Sequence, residues 1–131
     1  MLGRTILWIS ALVFIAYGIV SLMSPAIPAG FAGLVMSNGD AAAEIGAMYG
    51  GLQTGVGIFC LVSVIRLEYY RAGLLLLVTA IGALALARLL SLLIGTDTVT
   101  AYTWGALAYE IVTAILAAIA LGQSSGTQKE P

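Results

Sequence analysis

Apolar residues run along this chain in four long stretches, residues 5–23, 44–65, 72–94 and 102–121, and eight of the eleven charged residues lie outside them. Each stretch is close to the roughly 20 residues a helix needs to cross a hydrocarbon core about 30 Å thick. Within 74–78 and 84–93 the apolar character is nearly uniform on every side. The strands of a membrane barrel would instead alternate over about ten residues. With every backbone amide satisfied inside its own segment, four spanning helices are the solution a bilayer permits. The first stretch, preceded by Arg4 and followed by Ser24, Pro25 and Ala26, has features of a secretory signal. It outruns the about 7 to 15 residues of a signal core and reads as a retained helix.

Composition agrees with this pattern. Of 131 residues, 61 % are hydrophobic before the 16 glycines are counted, and 8 % are charged, against about 25 % in soluble domains. Too few polar side chains exist to cover a water-soluble monomer. The length fits one domain, predicted as a four-helix transmembrane domain over residues 1–122 with a disordered polar tail over 123–131. A net charge of −1 and the lack of histidine give no electrostatic case for nucleic acid and remove the usual imidazole ligand. Cys60 is the one cysteine, so neither an intrachain disulfide nor a cysteine metal cluster is expected, and no cofactor is.

The basic residues orient the helices. Arg4, Arg66, Arg71 and Lys129 lie outside the spans, whereas the segments 24–43 and 95–101 carry no Lys or Arg. By the positive-inside rule both termini and the middle loop are cytoplasmic, as in a multi-pass membrane protein. Trp8, Tyr102 and Trp104 suit interfacial belts. Arg66 and Arg71 are placed to meet anionic lipid around a solvated turn. Residues 24–39 read as an outer-face interfacial segment that could lie across the bundle as a lid, or as a plain surface loop. Asp40 is a candidate cap for the second helix.

Arg88 and Glu110 do not belong in this pattern. A charge at mid-span costs about 2.5 to 3.5 kcal/mol, and each Leu or Ile returns only about 0.3 to 0.6. The third stretch has ten leucines to offset Arg88, and the fourth has seven residues of the Leu, Ile and Val type to offset Glu110, so Glu110 needs a partner. At 1.5 Å per residue, Arg88 lies about 9 Å from the outer end of its span, Glu110 about 12 Å, Tyr49 about 7 Å, Gln53 about 13 Å and Tyr17 about 9 Å. Glu44 sits at the outer mouth. At 100° per residue, Gly46, Tyr49, Gly50, Gln53, Gly57 and Cys60 share one arc of the second helix, and Ser10, Tyr17, Ser21 and Ser24 one side of the first. Thr103, Ala106, Glu110, Ala114 and Ala117 line the fourth. A second face with Glu44, Met48, Gly51 and Gly55 adds another pair of small residues suited to close helix packing.

The run from Glu44 to Gln53, continued by Gly55 and Gly57, then Ala87-Arg88 with Ser91, then Tyr109-Glu110, resembles a family of small bacterial four-helix membrane proteins known as domain of unknown function 4345. The likeness spans the second to fourth helices. It implies that fold and a multi-pass location in the bacterial inner membrane, and no activity. A looser likeness to DoxX-type four-helix proteins is one of fold alone.

The fold class expected is therefore all-α, an integral membrane four-helix bundle with both termini cytoplasmic. Its expected function is a non-catalytic membrane module or accessory subunit in which Arg88 and Glu110 organise the bundle, with the bilayer and either a membrane-protein partner or a second copy as partners. The alternative is an outer-half pocket for a lipid-like or isoprenoid ligand. There Arg88 would grip the head while Glu110, with Tyr49 or Tyr17, moves a proton, and Gln53 and Glu44 would complete the lining. Each residue also has a structural reading: Tyr17 and Tyr49 as packing aromatics, Gln53 as an interhelical donor and Glu44 as a helix-start carboxylate. Transport and metal binding fit less well, because the ionisable groups share one leaflet and Arg88 competes for the carboxylate.

Overall fold

The computed structural model describes residues 1–126 and is helical almost throughout. Five helices follow one another: α1 Leu2–Met23, α2 Ala26–Ala32, α3 Gly39–Ile65, α4 Leu67–Ile94 and α5 Ala101–Gly126. All but α2 are long and apolar enough to cross a membrane. The helices outrun the apolar stretches that announce them, because hydropathy marks the oily middle of a helix and its hydrogen bonds continue beyond. Thus α3 begins five residues before Glu44, through the good helix formers Ala41, Ala42 and Ala43,. The expected solvated turn is largely helical, since only Arg66 is extended (φ −102°, ψ 106°) before Leu67–Tyr69 opens α4 as a 3₁₀ turn. Of the polar tail expected at 123–131, residues 123–126 continue α5, and 127–131 lie outside the described residues.

The cap of α3 is Asn38 rather than Asp40. Asn38 is extended (φ −158°) and its side-chain oxygen accepts a hydrogen bond of 2.9 Å from the Ala41 amide. Asp40 falls instead in the first turn, where a carboxylate meets the positive end of the helix dipole. Replacing Asn38 with alanine should cost about 1 kcal/mol, read as a lowered midpoint in thermal unfolding. Asp40→Ala should cost less.

The segment before α3 contains a helix that its prolines and glycines disguise. Pro25 precedes α2 and Pro28 sits in its first turn, where amides have no intrahelical partner to lose. Gly33 ends it at φ +69°, and the Leu34 amide donates to the Ala29 carbonyl at 2.8 Å. This closes a left-handed C-cap open to glycine without strain.

Among the described residues, 1–7 and 63–126 form one compact unit, and residues 8–62 another. In the first, α4 buries Leu74, Leu77, Ile81 and Ala85, and α5 buries Leu107, Glu110, Thr113, Ala117 and Ala120. These positions recur every three or four residues, the signature of a single helix face. In the second unit α1 and α3 meet backbone to backbone. A Cβ on Gly18 would stand 2.6 Å from the Thr54 nitrogen and 2.8 Å from the Gly50 oxygen, and one on Gly57 would stand 2.7 Å from the Ile15 nitrogen. Of the side of α1 that carries Ser10, Tyr17, Ser21 and Ser24, Ser10 and Ser21 are fully buried and Tyr17 and Ser24 half-buried. The other small-residue face is open: a Cβ at Gly51 or Gly55 would meet nothing within 4 Å.

Two turns widen to π geometry, Gly46–Leu52 in α3 and Leu77–Ile81 in α4. The buried positions Ile45 and Gly50 lie five residues apart, which is a π step and not an α step. The 100° arithmetic therefore slips across this turn. The hydroxyl of Thr54 donates to the Gly50 carbonyl at 2.8 Å, and that of Thr79 to the Leu75 carbonyl at 2.9 Å.

Candidate functional site

Glu110 lies in the middle of the buried stripe of α5, and its side chain is 6 % exposed. Arg88 continues the stripe of α4 one turn beyond Ala85, with its side chain 26 % exposed. Residues 95–100 return the chain from the end of α4 to the start of α5. A connection this short makes antiparallel neighbours. Arg88 stands six residues before Ile94 and Glu110 nine after Ala101, so at 1.5 Å per residue their depths are about 9 and 14 Å. The reach of an arginine spans that difference.

The two side chains meet edge to edge. Arg88 Nη2 donates to Glu110 Oε1 at 2.7 Å, and Nε donates to Oε2 at 3.0 Å and to Oε1 at 3.2 Å. A planar guanidinium offers two parallel N–H groups to a planar carboxylate, a match that the single ammonium of lysine does not provide. Both carboxylate oxygens are engaged, and the pair sums to zero charge in an apolar setting. This is the condition under which such groups are tolerated there. Chemically the arrangement is a clamp between two helices, with the anion at its inner jaw. The exposed pair of Arg66 and Glu68, 3.9 Å apart, is by contrast solvated on both sides and contributes little.

Of the residues singled out from sequence, the structure brings Arg88 and Glu110 together. Tyr17, Tyr49, Gln53 and Glu44 belong to the unit of residues 8–62. There Tyr17, Tyr49 and Gln53 are half-buried and adjoin Gly18, Gly50 and Thr54 in sequence, the residues of the α1–α3 seam. Glu44 is exposed and sits in the second turn of α3 rather than at its start. Thr113, one turn from Glu110 and 2 % exposed, escaped notice in the sequence. Its only signal was the spacing of three from Glu110. Ser63 likewise is fully buried and packs against Gly73. Among the described residues no group of three or more His, Cys, Asp or Glu side chains gathers to hold a metal ion.

No curated protein and no solved structure matches the chain. A family model described as Domain of unknown function (DUF4345) matches residues 2–121. The match takes in α1 and α2 as well as the three later helices that carry the recognisable motifs, and it covers both Arg88 and Glu110. The chain belongs to this family, DUF4345.

Proposed function

We propose that the protein is a non-catalytic membrane module, an accessory subunit or small scaffold, whose Arg88–Glu110 clamp holds α4 and α5 in register. The observation that carries this reading is the three-hydrogen-bond pairing of a buried carboxylate, with both oxygens occupied by one arginine. Four helices of spanning length support a multi-pass location. So do the outward-facing Leu12, Leu86, Val112 and Ile115, each more than half exposed, a surface suited to acyl chains and not to water. In this reading the four long helices form a bundle in the bacterial inner membrane with both termini in the cytoplasm.

Orientation is testable by labelling. In a Cys60→Ala background, Thr98→Cys should react with a membrane-impermeant maleimide added to spheroplasts, and Glu68→Cys only after lysis. The reverse pattern overturns the orientation. The functional reading is tested by replacing both members of the clamp, Arg88→Met with Glu110→Leu. A folded double variant that still complements a deletion supports a structural role. A folded double variant that fails to complement, or that loses a co-purifying lipid seen by native mass spectrometry, overturns it in favour of ligand binding.

A further inference from the structure

Residues 24–38 join two helices of spanning length, and they turn apolar surface outward. In α2 the inner side is Pro28 and Ala29, both buried, with Pro25 and Ala32 half-buried. On the other side Ile27 and Phe31, one turn apart, are 42 % and 61 % exposed, and beyond the Gly33 cap Val35 is 85 % exposed. Leu34 and Met36 are exposed as well. A connection bathed in water turns polar side chains outward. Here the polar ones are Ser24, Ser37 and Asn38, at the two ends, and no charged residue occurs between Arg4 and Asp40. Two residues separate α1 from α2, and Leu22 and Met23 at the end of α1 are themselves exposed. The apolar exposure of the spanning helix is therefore interrupted only by the half-buried Ser24 and Pro25 before it resumes on this segment.

We infer that residues 26–36 form an interfacial anchor, in which α2 lies along the membrane surface and Ile27, Phe31, Leu34 and Val35 reach into the boundary between headgroups and acyl chains. The occupant of this face is the lipid bilayer. Both ends of the segment are tied to one edge of the apolar slab, and a helix lying flat there buries its apolar side about 5–10 Å deep. The uncharged sequence leaves hydrophobic burial as the driving force. The inference rests on the spanning reading of α1 and α3.

The test uses tryptophan as a depth reporter in the full chain. Phe31→Trp and, separately, Val35→Trp are made in a Trp8→Phe, Trp104→Phe background and reconstituted in phosphatidylcholine–phosphatidylglycerol vesicles. A nitroxide carried near the lipid glycerol should quench both reporters at least about twice as strongly as one at the chain end, and aqueous iodide should quench them little. Val112→Trp, mid-way along α5 and exposed, serves as the control and should be quenched most by the chain-end label. If the control is not, the spanning reading fails and the anchor falls with it. If the control behaves and iodide quenches Trp at 31 and 35 while lipid labels do not, the segment is a water-exposed loop and the anchor is overturned. Shielding from all three quenchers overturns it too, by showing a protein cover.

Discussion

Arg88→Met should destabilise the protein by about 3–5 kcal/mol, the usual consequence of leaving one member of a buried ion pair without the other. The reason lies in the unequal burial of the partners. Glu110 is 6 % exposed at its side chain, in the middle of a buried helix stripe, and without the guanidinium its two oxygens lose the three donated hydrogen bonds. The reciprocal change Glu110→Leu should cost less, because the Arg88 side chain is 26 % exposed and a long cationic side chain can bend its head toward water. The double variant should return to within about 1 kcal/mol of the parent, since desolvation of two charges nearly cancels their attraction. The measurement is a double-mutant cycle on unfolding in bicelles, by steric trapping or denaturing detergent. Additive losses in the double variant would mean that the clamp is not the coupling between α4 and α5. A larger loss for Glu110→Leu than for Arg88→Met would invert the assignment of the anion as the buried partner.

The clamp was legible in the sequence because its logic needs only depth. A carboxylate in the middle of a weakly apolar helix demands a cation at the same level, and the short segment 95–100 joins the two helix ends from which both depths are counted. Rotation about the helix axis was less legible. The face assigned to α3 assumes 3.6 residues per turn throughout, and the π turn at Gly46–Leu52 breaks that count where Tyr49 sits. Nothing in Gly-Ala-Met-Tyr-Gly-Gly-Leu marks an extra residue, since glycine permits many backbones. Likewise α2 hid behind residues that usually end helices. Pro28 is harmless in a first turn and Gly33 is a signal of where a helix ends. The true cap, Asn38, lies two residues before the expected Asp40, and the same physics serves both. Either side chain can accept the bond, and the choice is made by which residue takes the extended backbone.

Gly18→Val should be the most damaging single change in the unit of residues 8–62, with Gly57→Val close behind. Besides the movable Thr54 hydroxyl at Gly18 and the Ile15 side chain at Gly57, a Cβ would meet backbone atoms, the Thr54 nitrogen at 2.6 Å and the Gly50 oxygen at 2.8 Å from position 18, and the Ile15 nitrogen at 2.7 Å and the Ala11 oxygen at 3.1 Å from position 57. A flexible side chain could swing aside, but a helix backbone moves only as a whole, so α1 and α3 must separate. Overpacking of this kind typically costs about 1–3 kcal/mol, and more where nothing can yield. In the proposed bilayer setting, where helix association depends on close packing, there is little else to restore the seam. Even alanine at 18 should lower the unfolding midpoint. The contrast is Gly55→Ala, whose Cβ meets nothing within 4 Å and which replaces a poor helix former with the best, a change of about 1 kcal/mol in favour of the helix. Measured side by side in the same bicelles, Gly18→Ala should lose stability while Gly55→Ala holds or gains it. Equal tolerance at the two sites would show that α1 and α3 do not touch through their glycines.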